Sequence, residues 1–211
     1  MKTKKPMLKE TVGALYLAFN TPTKDGEFDI DNYEETIKSE VVKNISTTEN
    51  AESTVVRASG KDYTTISQNS SIDQAVEVIA FDPADVARMR KDKIGKYIVK
   101  SGAAGERPFF GFGKVVKRTG GAVEYVWYPK CQLIENTDDI ATSEESYSEQ
   151  NDTLTIRAYA FNSDGDKSVR VNSEMSIFPA GLTEEMFFTK PITSDDDIDA
   201  LLTPENDQEG A

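Results

Sequence analysis

Apolar and polar positions alternate along this chain in a way that predicts strands far more often than helices. Residues 11–19 (TVGALYLAF) form a compact apolar run with aromatic and β-branched content, which reads as a strand. Thr21-Pro22 and Lys24-Asp25-Gly26 then break it. From 27 to 52 the chain is acidic and polar, with isolated apolar residues at Phe28, Ile30, Tyr33, Ile37, Val41 and Val42. That stretch reads either as a short helix around 33–43 or as a long excursion from the core. Residues 53–58 and 63–67 are strand candidates on either side of Ser59-Gly60-Lys61-Asp62, a hairpin-like turn, and 75–81 (AVEVIAF) is a further strand. A helix follows, with Asp82 as N-cap, Pro83 at the first helical position and Asp85 in the first turn. Val86 and Met89, three apart, would face a core, and the helix ends before Gly95.

Beyond the helix the pattern is β again. Residues 95–100 contain Tyr97-Ile98-Val99, and 101–105 is a small-residue loop. The segments 108–118 (PFFGFGKVVKR) and 122–134 (AVEYVWYPKCQLI) flank Thr119-Gly120-Gly121, a tight hairpin connection. Val123, Tyr125 and Trp127 share one face by period two. Residues 135–152 hold seven Asp or Glu and no Lys or Arg, so they read as a polar loop. Leu154, Ile156, Ala158 and Ala160 then alternate as an inward face, as do Val169, Val171, Met175 and Ile177 after the turn at 162–165. A partial helix is indicated at 183–188, and the acidic stretch from Thr193 onward reads as an arm or a disordered tail. The predicted architecture is mainly β: an antiparallel sandwich or barrel with one short flanking α-helix, a long loop and an extended terminal arm. In domain terms this is a single β domain over 1–192, carrying the excursion 27–52 and the acidic loop 135–152, and a C-terminal arm over 193–211. No internal repeat is visible.

Composition narrows the function classes. The chain has 211 residues, 37% hydrophobic and 29% charged, enough to bury a core that removes roughly 70% of the unfolded surface. The single cysteine, Cys131, excludes an internal disulfide. The basic start (Met1-Lys2-Thr3-Lys4-Lys5-Pro6) leads into no long apolar run, which argues against a secretion signal. No segment approaches the ~20 apolar residues of a membrane span. A soluble protein made in a cytoplasm is the expectation.

Net charge is −13 and histidine is absent, so the commonest general base and metal ligand is missing. A surface this acidic repels nucleic acid. The charge is also uneven. Between Arg88 and Arg118 lie ten basic residues (Arg88, Arg90, Lys91, Lys93, Lys96, Lys100, Arg107, Lys114, Lys117, Arg118) against Asp92 and Glu106. That segment is +8, which leaves −21 on the remainder of the chain. Either these are ordinary solvated charges, or they mark two complementary faces that meet when copies associate head to tail.

Chemistry-bearing motifs are sparse. Phe110-Gly111-Phe112-Gly113 lacks the strand-to-helix context of a nucleotide loop and reads as a strand against which a ring or backbone packs closely. Cys131, without a histidine partner, reads as a small buried hydrophobe. Asp195, Asp196, Asp197 and Asp199 resemble an oxygen-rich cation loop only superficially, lacking the glycine and terminal glutamate of an EF-hand. Phe109, Phe110, Phe112, Tyr125, Trp127 and Tyr128 could form a sugar or base platform, but cross-strand core pairs are the favoured reading. No catalytic, cofactor-binding or metal-ligating residue is assigned, and the expectation is that the chain is not an enzyme. A carboxylate pair of hydrolase type is uninformative in so acidic a chain.

The order of features then carries a resemblance. The early strand Val12-Gly13-Ala14-Leu15-Tyr16-Leu17-Ala18 precedes an acidic loop and the strand–helix pair over 75–91. Val126-Trp127-Tyr128-Pro129-Lys130-Cys131, an acidic serine-rich stretch and Leu154-Thr155-Ile156-Arg157-Ala158 follow. Over about residues 8–190 this order resembles the major tail tube proteins of long-tailed (siphovirus-type) bacteriophages of Gram-positive hosts. The resemblance implies a structural virion protein, made and assembled in the host cytoplasm, whose homo-hexameric rings stack into a tail tube. Implied partners are other copies of itself, the tape measure protein inside the tube, a tail terminator and a distal tail protein. DNA would pass through an acidic bore without specific binding, and long loops or arms would bridge successive rings. Two alternatives stay open: a carbohydrate- or cell-surface-binding β-sandwich module, and another ring-forming tail component such as a tail terminator.

Overall fold

The computed structural model describes residues 5–138, 140, 142 and 150–203. The elements in chain order are strands β1 (Lys9–Phe19), β2 (Ile37–Ser39), β3 (Val42–Ala58) and β4 (Lys61–Val78), then helix α1 (Pro83–Met89). Strands β5 (Lys93–Ile94), β6 (Val99–Lys100), β7 (Phe110–Arg118), β8 (Val123–Thr137), β9 (Asp152–Ala158) and β10 (Val169–Asn172) follow, then helices α2 (Glu184–Phe187) and α3 (Asp195–Leu202). The fold is mainly β and its strand pairings are antiparallel, as the alternation predicts. One sheet runs β2-β1-β7-β8-β9-β4-β3, with β10 added beside the first part of β8, and β5 with β6 forms a separate small hairpin.

β1, β7 and β8 each carry a continuous buried run, at 14–19, 110–115 and 125–129, because both faces of the sheet are covered there. Leu15, Leu17 and Phe19 point into one core with Phe110, Phe112, Tyr128, Cys131, Leu133, Leu154, Ile156 and Val76. Tyr16 and Ala18 point the other way, into a second core with Val115, Tyr125 and Trp127. α1 closes the first core through Met89 and Val86. Its start follows the expected chemistry: the Asp82 side chain accepts from the Ala84 N–H at 2.8 Å, and Pro83 opens the helix.

The C-terminal segment closes the second core, where Leu182, Phe187, Phe188, Ile192 and Ile198 cover the Tyr16–Tyr125–Trp127 face. Trp127 is fully buried, and its indole N–H donates to the Phe187 carbonyl at 2.9 Å. The Phe188 ring stacks on Tyr16 with centroids 3.9 Å apart. The glycines of β7 make this approach possible. A Cβ at Gly113 would stand 2.7 Å from Phe188 Cε1, and one at Gly111 would stand 2.8 Å from Pro191 Cγ. The Phe-Gly-Phe-Gly run is thus a strand with rings pressed against it.

Several expectations need correction. Three short helices stand among the described residues: α1 as expected, α2 within the partial helix indicated at 183–188, and α3 in addition. The stretch from Thr193, expected as an extended arm, is helical over Asp195–Leu202. Ser194 and Asp197 form a capping box there, and Ile198 is buried. The final residues of the expected arm, 204–211, lie outside the described residues, as do 139, 141 and 143–149 of the acidic loop. The excursion 27–52 is only partly a loop: Ile37–Ser39 pairs with β1, and from Val42 the chain is already in β3. Nor does the alternation after Val171 continue as a strand. β10 ends at Asn172, and Met175 and Ile177 are exposed in the turns that follow.

Candidate functional site

β3 and β4, of 17 and 18 residues, make a hairpin far longer than the strands beside it. Its register runs unbroken in direction from Val42↔Val78 to Ala58↔Lys61. Ser59 and Gly60 turn the chain with φ of 53° and 75°, the pair of positive φ values that suits a two-residue hairpin turn. β9 supports β4 only over Ile72–Val78. Beyond Ile72 the hairpin leaves the sheet and projects by about 30 Å at the usual rise per residue. Val55, Val56 and Tyr63 on this projection are exposed. An isolated two-stranded ribbon is marginal in water. β3 also ends the sheet, with no strand beyond it among the described residues, and no proline interrupts that long border.

The sheet curls so that its two borders face each other without pairing. The first half of β1, through Lys9, Glu10 and Thr11, looks across a polar cleft of about 400 Å³ at Lys43, Asn44 and Thr47 of β3. β2 covers β1 only at Leu15–Leu17. The barrel is therefore open along one seam.

Register also divides the β3–β4–β9 layer into two faces. Ile72, Gln74, Val76 and Val78 point inward with Leu154, Ile156 and Ala158, all buried. Ser46, Thr48, Asp73, Ala75, Glu77, Thr153, Thr155 and Arg157 stand on the opposite face. On that face Arg157 donates to both carboxylate oxygens of Asp73, at 2.7 and 2.9 Å, and Asn50 donates to Asp73 at 2.9 Å. The arginine hydrogen bonds hold the Asp73 carboxyl below its usual range against the upward effect of burial. Where β9 pairs β4, this face presents hydroxyls and carboxylates, and its guanidinium, Arg157, is already neutralised by Asp73.

Lys114 sits at the floor of the seam, 8% exposed. Its ammonium donates to Thr47 Oγ1 and, at 3.0 Å, to Gln74 Oε1, and it lies 5.4 Å from the Tyr128 ring. Burial first, then the Lys9 cation, pull its pKa from 10.5 down to about 8. The folded chain thus releases this proton near pH 8 and the unfolded chain near 10.5. Between those values the unfolded state binds more protons, and rising pH favours the fold. Urea unfolding of the wild type should gain about 2 kcal/mol between pH 7 and 9.5 relative to Lys114→Met. Equal slopes for the two proteins would refute the assignment.

The other candidates from the sequence are structural. Cys131 is buried, its thiol donates to the Tyr128 carbonyl at 3.3 Å, and burial pushes its pKa up. Phe110, Phe112, Tyr125, Trp127 and Tyr128 are core and Phe109 is half-buried, so these rings form no exposed platform. Asp197 accepts from the Thr193 and Ser194 N–H groups at 3.0 and 3.1 Å. Burial works upward on its pKa, but the bonds from Thr193 and Lys190 outweigh it and hold the value at about 2. Among the described residues no group of three or more His, Cys, Asp or Glu is placed to hold a metal ion, and no helix is long and apolar enough to cross a membrane.

The basic segment does not form a single face. Arg88 pairs with Glu34, Arg118 with Glu124, and Arg90 with Asp92. Lys91 and Arg107 donate to backbone carbonyls. Lys93, Lys96 and Lys100 remain exposed together on the β5–β6 hairpin. No motif marks the protruding hairpin in the sequence. Its one local sign is the Ser-Gly turn between two polar, threonine- and serine-rich runs.

No protein-family model and no curated protein sequence matches the chain. Among solved structures it is similar to a chain of the anti-feeding prophage baseplate, determined by cryo-electron microscopy with 6-fold symmetrisation. That similarity has a TM-score of 0.38 and 9% identity, over 81% of this chain and 97% of that one.

Proposed function

We propose that this protein is a non-enzymatic structural subunit of a bacteriophage tail tube, polymerising as stacked homo-hexameric rings. The observation that carries this reading is the β3–β4 hairpin, which beyond Ile72 pairs with no other strand among the described residues and ends the sheet with a long border. Strands in that state gain most by pairing with another chain. A heterologous contact that repeats with a closing rotation gives a ring. The open seam between β1 and β3 supports the same reading, since a barrel closed within one chain would leave no border to share.

In this reading the hydroxyl- and carboxylate-bearing face of β3, β4 and β9 lines the bore. Phosphates meet like charge there and few free cations, so DNA slides without sticking. The tape measure protein would occupy the tube before DNA does, and the tail terminator and distal tail protein would meet its ends. The protein then resides in the virion tail after assembly in the host cytoplasm.

Negative-stain microscopy of the purified chain across protein concentration and salt tests this directly. Rings that lengthen into tubes are the expected result. A field of monomers under every condition would remove the reading, and single rings that never lengthen would favour a tail terminator.

A further inference from the structure

The β5–β6 hairpin carries a cluster of exposed apolar side chains. Lys93 pairs with Lys100 and Ile94 with Val99, and the Gly95 N–H donates to the Ile98 carbonyl at 2.8 Å, so the tip is a closed turn. Ile94, Tyr97, Ile98 and Val99 are 63%, 85%, 60% and 53% exposed. Scattered surface hydrophobes need no explanation, but four within six residues at one tip form a patch. Three lysines and no carboxylate accompany them in Lys93-Ile94-Gly95-Lys96-Tyr97-Ile98-Val99-Lys100. The base of this tongue is fixed: Asp92 accepts from Ser101 Oγ at 2.8 Å, and Lys91 donates to the Glu106 carbonyl at 3.1 Å.

Elsewhere on the same chain lies a groove of opposite character. About 450 Å³ in volume, it runs between β10 and α3 over Val171 and Ile198, with Met175 and Ile177 lining it, 52% and 77% exposed. Asp195 and Asp199 border it. Arg170, also in its wall, has its guanidinium 3.9 Å from Glu49. Among the described residues β10 pairs with β8 alone, and its residues line the groove.

We propose that the tongue at residues 93–100 of one copy docks into the β10–α3 groove of a second copy. Apolar tip meets apolar floor, and the lysines meet Asp195 and Asp199. Because tongue and groove are different surfaces of one chain, each copy can offer one and receive the other, which makes the contact heterologous and repeatable. The proposal rests on the self-assembly reading and names a surface for it separate from the long hairpin.

A charge exchange tests it. Lys96→Glu/Lys100→Glu and Asp195→Lys/Asp199→Lys are each purified, their folding checked by circular dichroism, and their assembly followed by analytical ultracentrifugation beside the wild type. Each variant alone should need at least a tenfold higher concentration to assemble, while their 1:1 mixture should recover the wild-type threshold. Tyr97→Ser/Ile98→Ser should lose assembly without touching charge. If the wild type assembles and the tongue variants do so at the same concentration, the docking is overturned while the tube reading stands. Loss of anionic-vesicle binding by those unimpaired variants would reassign the tongue to a lipid surface. A wild type that never assembles removes both.

Discussion

Deleting the outer part of the long hairpin should abolish assembly and leave the fold in place. Asn50 and Ser71 are register partners, so residues 51–70 can be replaced by Asn-Gly, a two-residue connection suited to closing a β-hairpin. Among the described side chains, the residues of β3 and β4 that enter the first core are Val42, Ile45, Ile72, Val76 and Val78, all outside the removed segment. β9 stays paired to β4 over its full registered span. The thermal midpoint should therefore move by only a few degrees, because the cores keep these residues. Assembly should behave quite differently. If the projecting strands finish their hydrogen bonding on neighbouring copies, the shortened chain has nothing to offer there. It should sediment as a monomer at concentrations where the full chain forms tubes. Tubes of unchanged length and abundance from the shortened chain would refute the role given to the hairpin.

The sequence makes legible the parts of the fold that are set by local chemistry or by full burial. The Asp82-Pro83 helix start, the Thr119-Gly120-Gly121 connection and the alternation of Leu154, Ile156 and Ala158 are all as expected. The glycines of β7 also announce close ring packing, although not which rings; Phe188 and Pro191 come from seventy or more residues away. What resists reading is the strand whose inward residues are polar. In β3 and β4, Thr47 and Gln74 take core-side positions beside Lys114, so the apolar period that marks a strand is missing. The 27–52 stretch consequently reads as an excursion when half of it is the sheet border.

The helix α3 was hidden for a different reason. Its first turn is Asp195-Asp196-Asp197, which looks like a solvated tail. Ser194 three residues before Asp197, and Ile198, Leu201 and Leu202 at helical spacing, were the available signals. Charge outweighed them in the sequence, whereas in the fold those same carboxylates sit at the helix N-terminus, where the dipole favours them. The helix matters because Ile198, with Leu201 and Leu202, completes the core that covers the Tyr16–Tyr125–Trp127 face.

That dependence gives the second large effect. Trp127→Ala should cost about 4 kcal/mol, the range for emptying a large buried aromatic site. For a chain of this size that is a fall in thermal midpoint of roughly 10 °C. Two terms contribute. The indole ring packs against Phe188 with centroids 5.3 Å apart, and its N–H is the donor to the Phe187 carbonyl. Trp127→Phe keeps an aromatic ring but loses the donor and part of the indole volume, so it should cost less, about 2 kcal/mol. The difference between the two variants then measures the packing of the phenyl ring that remains. Trp127 is the only tryptophan, so unfolding must be followed by circular dichroism rather than by its own fluorescence. Because the segment from Leu182 to Ile198 is held on this face, the alanine variant should also be cut there by protease sooner than the wild type. An alanine variant with an unchanged midpoint and unchanged proteolysis would mean that the C-terminal helices do not depend on this core.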